Sequence, residues 1–244
     1  SFSAFLKYFS ASFILVCDII KPLFWLAECE NANYHPTFDA SYAWDWMHVT
    51  EKLNQGQVGM NEVYNVLEGY VHYPSGALKL FFTSNHDENS WNGTEYEKYG
   101  IAAKPWAVFT HTWKGLPLIY SGQELPNHQR LKFFDKDCIA WGNELALHHF
   151  YKTLSICRQQ YPALINGSTY ILPTQSNSVM AYLRYDASNV LLIVLNLSNE
   201  IQKISFSHEL LLGSFINIFS GLAFSFDKEV SFELMPGDYF LYVK

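Results

Sequence analysis

A chain of 244 residues with 49% hydrophobic and 16% charged side chains is too apolar for disorder and long enough for one large domain or two smaller ones. Its net charge of −7, from 16 Lys and Arg against 23 Asp and Glu, includes no basic block, so no nucleic acid partner is expected. Aromatic residues make up 17%, more than a core of this size usually needs, and flat rings with polar edges suit both core filling and stacking on sugar faces.

Near the N-terminus, Phe2 to Ile20 is apolar. Only ten residues between Lys7 and Asp18 run without charge, however, about half of what a bilayer requires, and no membrane span is expected. The small-residue cleavage pattern of a signal peptide is missing, and localisation is not readable. Leu23 to Ala27, Ala77 to Phe82 and Leu116 to Tyr120 are apolar runs that lead into Glu28, into Thr83 to Asp87 and into Ser121 to Glu124. Each reads as a buried strand whose carboxyl end opens onto polar chemistry, and Ser41 to Trp46 reads as a fourth strand between the first two. Helices are expected around Trp46 to Asn54 and around Tyr99 to Trp113, the latter kinked or restarted at Pro105. A third spans 143–160, where Leu147, Phe150, Tyr151, Leu154 and Cys157 recur at helical steps. This alternation predicts an α/β fold with parallel strands.

From about Ser168 the texture changes to short runs at 178–185, 190–197, 203–206, 214–219, 229–234 and 239–243, punctuated by Asn, Ser, Gly and Asp. That spacing predicts an antiparallel β-sandwich and two domains, at 1–165 and 166–244. Cys17, Cys29, Cys138 and Cys157 lack metal-ligand spacing, and the nine histidines offer no His-Glu-x-x-His word, so no metal site and no cofactor is evident.

In folds built on parallel strands, chemistry sits at the carboxyl ends of the strands. Glu28 and Asp87, 59 positions apart on different strands, form the leading pair. Glycoside hydrolysis needs two carboxylates flanking a bond, one to donate a proton and one to stabilise or trap an oxocarbenium-like centre. A strand-end carboxylate is as often a structural hydrogen-bonder, so the pair alone leaves both readings open.

The local words narrow the choice. Phe82-Thr83-Ser84-Asn85-His86-Asp87-Glu88-Asn89 resembles the strand-seven motif of the alpha-amylase family of glycoside hydrolases. Leu26-Ala27-Glu28 is similar to that family's strand-five motif, Pro117 to Glu124 to its strand-eight segment, and Asp137 to Trp141 to the acidic-apolar-Trp element that follows. The resemblance covers roughly residues 20–165, and the tail fits the family's C-terminal all-β domain by position and texture. It implies the second half of a (β/α)8 TIM barrel, strands five to eight, followed by a β-sandwich. It also implies α-linked glucans such as starch as substrate, with Glu28 as general acid/base and Asp87 as the carboxylate that stabilises the transition state. His86 would hydrogen-bond the same sugar ring, and Asn85, Tyr42 and Trp91 complete the expected substrate-binding set. Trp91, in a polar loop, is the leading stacking ring beside Trp25 and Trp44, while Asn85 and Glu124 are also expected to support strand ends. His128 and Arg130 read as solvated loop residues.

The chain departs from the family in two respects. The nucleophilic aspartate belongs at the end of strand four, in a Gly-Phe-Arg-x-Asp type of segment, and nothing ahead of Glu28 matches it; Asp18, ten positions before Glu28, is too close to substitute. The inserted domain that often holds calcium also has no counterpart, so calcium is an expectation only for a full-length relative. Three readings stay open: a piece of a longer protein, a product that completes its barrel by associating with another chain through the exposed half-barrel edge, and a degenerate relative that binds α-glucans without turnover. Tyr8 to Cys17 is expected to cover that edge.

Overall fold

The structure, a computed structural model, describes residues 23–244; the expectations at Phe2 to Ile20, including Tyr8 to Cys17 and Asp18, lie outside them. Four short strands, β1 (Leu26–Ala27), β2 (Ala40–Tyr42), β3 (Leu78–Phe81) and β4 (Leu116–Pro117), pair in parallel in that order. The second strand ends at Tyr42 rather than Trp46, because Trp44 already opens helix α1 (Trp44–Asn54) and Trp46, Met47, Val49 and Thr50 are buried along one side of that helix. Helix α2 (Met60–Gly69) follows; its buried Met60, Val63 and Leu67 carry a helical period that the sequence reading passed over.

Between β3 and β4 lie α3 (His86–Trp91), α4 (Glu95–Tyr99) and α5 (Ala103–Thr112). Pro105 is the third residue of α5, where an N–H has no helical partner to lose, so the helix restarts just before the proline. After β4 the chain is irregular until α6 (His148–Gln160), which begins five residues later than its sequence pattern suggested, and α7 (Ala163–Asn166).

Eight strands complete the fold: β5 (Ser168–Leu172), β6 (Val179–Tyr185), β7 (Val190–Asn196), β8 (Gln202–Ser207), β9 (Gly213–Asn217), β10 (Ala223–Phe226), β11 (Glu229–Leu234) and β12 (Tyr239–Val243). Six form an antiparallel sheet in the order β10-β9-β12-β7-β6-β5, and β8 and β11 form a separate antiparallel ribbon. The ribbon lays Ile204, Phe206, Val230 and Leu234 against Val179, Ala181, Leu183, Leu192 and Val194. Residues of opposite parity, Met180, Tyr182, Leu191, Ile193 and Leu195, join the core of the parallel part. Covered on both faces, β7 reads as an apolar run from Val190 to Leu195, and β6 as one broken only by Arg184. The sequence reading missed β5 and β10, which are the two edges of the sheet and keep most of their side chains out of the core.

Two polar contacts, Thr112–Tyr182 and Arg184–Leu164, fasten the two parts, and Arg158 orders the first part beside them. The hydroxyls of Thr112 and Tyr182 lie 2.6 Å apart. Arg158 donates to the carbonyls of His111, Trp113, Leu164 and Gly115, satisfying backbone groups that water does not reach. Buried Arg184 donates to Leu164 O and to Thr169 Oγ1, and burial pulls its guanidinium down to about 10.

His111 is buried in the same region. Its Nδ1 lies 2.8 Å from Ala107 O, which fixes Nδ1–H as donor, while Nε2 has no partner. Burial therefore disfavours the imidazolium and pushes the pKa down to about 4 from 6.5. Because the unfolded chain takes up this proton first, stability is full above about pH 6.5 and is lost as pH falls toward 4, by about 3 kcal/mol from this group. Urea unfolding across pH 4–7 is expected to show that slope, and His111→Gln to flatten it.

Candidate active site

The parallel strands bring their polar tails together at their carboxyl ends. Glu28 is the first residue after β1, Tyr42 the last of β2, and Asn85, His86 and Asp87 follow β3. His86 Nε2 lies 3.7 Å from Glu28 Oε1 and 3.7 Å from Asp87 Oδ1. One donor atom from each of the three side chains falls within 4.8 Å of the others, a proximity that no other group of three or more His, Cys, Asp or Glu attains among the described residues. The side chains are 48%, 52% and 35% exposed for Glu28, His86 and Asp87, so the trio faces solvent and is open to a ligand.

Tyr42 reaches the trio from below. Its ring is buried against Trp44 and Phe82, with centroids 5.5 Å away in each case. Its phenol is raised above the ordinary value, first by burial and then by the Glu28 and Asp87 carboxylates. With both ring contacts made to protein, only its polar end is left for the site. Trp44 is held likewise, between Phe82 and His48.

Asn85 sets the direction of the next two residues. Its Oδ1 accepts from Asp87 N at 3.0 Å and from Glu88 N at 2.7 Å, capping α3, while its buried Nδ2 has no partner. Asp87 thus sits in a capped first turn, where the helix dipole favours negative charge. Buried Glu88 then ties α3 to α4 through Lys98 Nζ at 3.1 Å and accepts from Asn92 Nδ2 at 2.8 Å.

A second buried network, unanticipated from sequence, supports the other side. Glu30 accepts from Tyr70 OH at 2.5 Å, from the backbone N–H of Asp45, and from Lys79 Nζ at 3.1 Å. Lys79 also donates to Ser41 Oγ and lies 4.7 and 4.5 Å from the centres of the Tyr70 and Tyr73 rings. Burial raises Glu30 and lowers Lys79, and each partner opposes the shift of the other. The signal was a lysine inside the apolar run Leu78-Lys79-Leu80, which has to find a partner when that strand is buried.

The loop after β4 closes the remaining side. Arg130 and His128 are exposed loop residues, as their sequence context suggested, and they also hold this loop to α4: Arg130 Nη2 lies 2.9 Å from Glu97 Oε1, and His128 stacks on Tyr96 at 4.1 Å. The Glu124 carboxylate accepts from Gly122 N, in keeping with a supporting role. Trp91 is exposed and packs beside Phe133 and Phe134, two rings the sequence reading did not single out. Their signal was a pair of adjacent aromatics inside the otherwise charged stretch Lys132 to Asp137.

Replacing Asn85 by Ala removes both capping bonds and is expected to destabilise by about 1 kcal/mol, lowering Tm by about 2–4 °C. Asn85→Asp keeps the acceptor and is expected to restore most of the loss, as calorimetry can check.

No family model matches the sequence. The alpha-amylase MalA of Haloarcula japonica is 28% identical over 184 residues, 70% of this chain and 26% of that protein. The probable oligo-1,6-glucosidase 3 of Bacillus subtilis is 29% identical over 125 residues, 50% of this chain and 19% of that protein. The matched region is thus about a quarter or less of the length of these relatives. Among solved structures, the maltogenic alpha-amylase AmyB of Thermotoga neapolitana superposes with a TM-score of 0.84 at 20% identity, over 96% of this chain and 57% of that one. An alpha-amylase of Lactobacillus plantarum gives 0.80 at 18%, over 97% and 59%. In sequence the chain is similar to an alpha-amylase and an oligo-1,6-glucosidase, and in fold, over its parallel-sheet part and its all-β part alike, it is similar to alpha-amylases of the glycoside hydrolases.

Proposed function

We propose that this chain contributes the acid/base half of an alpha-amylase-type site acting on α-linked glucans. The observation that carries this reading is the meeting of Glu28, His86 and Asp87 at the carboxyl ends of two parallel strands, with all three open to solvent. Glu28 Oε protonates the glycosidic oxygen as the bond to the leaving sugar breaks, then takes a proton from the water that completes hydrolysis. Asp87, fixed by the Asn85 cap, lies beside the developing positive charge and stabilises it. His86, within reach of both carboxylates, donates to a sugar hydroxyl, and the Tyr42 hydroxyl and exposed Trp91 ring complete the lining.

The four parallel strands are read here as strands five to eight of a (β/α)8 barrel, within a domain spanning 1–165 that is followed by a sandwich domain at 166–244. Support comes from the solved structures, of which the chain covers 57% and 59%. Among the described residues β1 pairs only with β2 and β4 only with β3, and Leu26 and Ile119 are exposed beside these edges. An unpaired strand edge is a template for another strand, from the same protein or from another chain.

A second reading is favoured by one observation: among the described residues the trio contains two carboxylates, and in the family the covalent nucleophile is a third. On that reading the chain binds α-glucans without turnover.

Reducing-sugar release from soluble starch separates the two. Weak release by the 244-residue chain, lowered about 10²- to 10⁴-fold in Glu28→Gln, is the result expected of an acid/base residue. Equal release from both proteins overturns the assignment of Glu28. No release from either, with malto-oligosaccharide binding intact by calorimetry, selects the binding reading.

A further inference from the structure

β10 forms one edge of the six-stranded sheet, and among the described residues no strand pairs with its outer side. Strand edges open to water are ordinarily guarded by charge or proline. The ribbon follows that rule, with Lys203 in β8 and Glu229 and Glu233 in β11, and at the opposite edge of the sheet Pro173 directly follows β5. β10 does not follow it: no charged residue and no proline stands between Glu209 and Asp227, a stretch that contains β9 and β10 entire.

The side chains exposed along this edge are apolar. Leu212, Ile216, Leu222 and Phe224 are 51%, 49%, 61% and 38% exposed, a concentration that a surface facing only water does not need. They border both faces of the sheet. Ile216 stands opposite Ala223 on one face, and on the other Phe224 packs against Tyr242 at 5.3 Å, where the core under the ribbon runs out to solvent.

What fits such an edge is a strand that is itself uncharged, apolar and extended, and β10 of a second copy is all three. Antiparallel pairing of β10 with β10 about a two-fold axis normal to the sheet sets no like charges opposite each other and joins the two sheets into one. It also brings the two Phe224 rings to the same face, so that the core under each ribbon continues across the axis.

We propose that β10 is a self-association surface through which two copies of this chain pair edge to edge. The proposal does not depend on the α-glucan reading. A strand of four residues supplies less than the roughly 1,200 Å² of a stable interface, and each copy carries a net charge of −7, so the pairing is weak, reversible and strengthened by salt that screens the repulsion.

Sedimentation of the full chain over a concentration series tests it. A monomer–dimer equilibrium is expected for the wild type. Ser225→Lys and Ser225→Glu, made at an exposed position, are each expected to weaken it at least about tenfold without changing thermal unfolding. An equal mixture of the two variants is expected to recover the dimer, because Lys then faces Glu across the axis. A wild-type chain that stays monomeric at every concentration overturns the proposal; protection of the β10 amides from hydrogen exchange in that monomer then means that another segment of the chain covers the edge. A dimer that both variants keep also overturns it, and its loss in Ile119→Lys places the contact beside β4 instead. Monomeric variants whose mixture does not recover the dimer overturn the two-fold pairing.

Discussion

A column of aromatic rings runs through the protein and fixes the rest of it. Phe81 of β3 meets the edge of Trp46 at 5.3 Å, Trp46 stacks on Phe109 at 5.0 Å, Phe109 stacks on Trp113 at 5.0 Å, and Trp113 meets Tyr182 of β6 at 5.0 Å. The column begins in the parallel sheet, passes through α1 and α5, and ends in the antiparallel sheet. Ring pairs of this kind add about 0.5–1.5 kcal/mol each beyond the area they bury, and they do so only at set distances and tilts. The two parts are thereby held at one mutual orientation, which the Arg184–Leu164 and Thr112–Tyr182 contacts reinforce with directed hydrogen bonds.

Because this column anchors Phe81, the last residue of β3, the carboxyl end of the strand is a dependable place for polar residues. The strand delivers Phe82 to Asn85 in buried succession, Asn85 turns the chain into a helix, and His86 and Asp87 emerge into solvent on the first turn. The Glu30–Lys79 pair does the corresponding task beneath β1 and β2, at the desolvation cost that accompanies any buried ion pair. Removing either partner leaves an uncompensated charge under the site, so the pair makes its surroundings intolerant of change even where it adds little net stability.

Most of the strand pattern was legible because alternating burial leaves a mark on sequence. Val190 to Asn196 is buried throughout and could be read directly. Ser168–Leu172 and Ala223–Phe226 could not, since edge strands keep solvent-facing residues that look like loop. Site residues were legible where they belong to a contiguous word, as Asn85-His86-Asp87 does. Glu30, Lys79, Glu97 and Arg130 were not, because the oppositely charged side chains they pair with lie 33 or more positions away and only the fold brings them together. The surplus of aromatic residues was a mixed signal: Trp46, Trp106 and Phe109 fill the core, and Trp91, Phe133 and Phe134 do not.

The Asn85 cap also makes the two sides of the acid pair unequal. Asp87 rides on a helical turn whose backbone is fixed by two side-chain bonds, whereas Glu28 follows a two-residue strand that has one partner strand among the described residues. If the two carboxylates share a sugar as proposed, the conformational freedom given up on binding falls more on Glu28, which follows a two-residue strand, than on Asp87, whose turn is already capped.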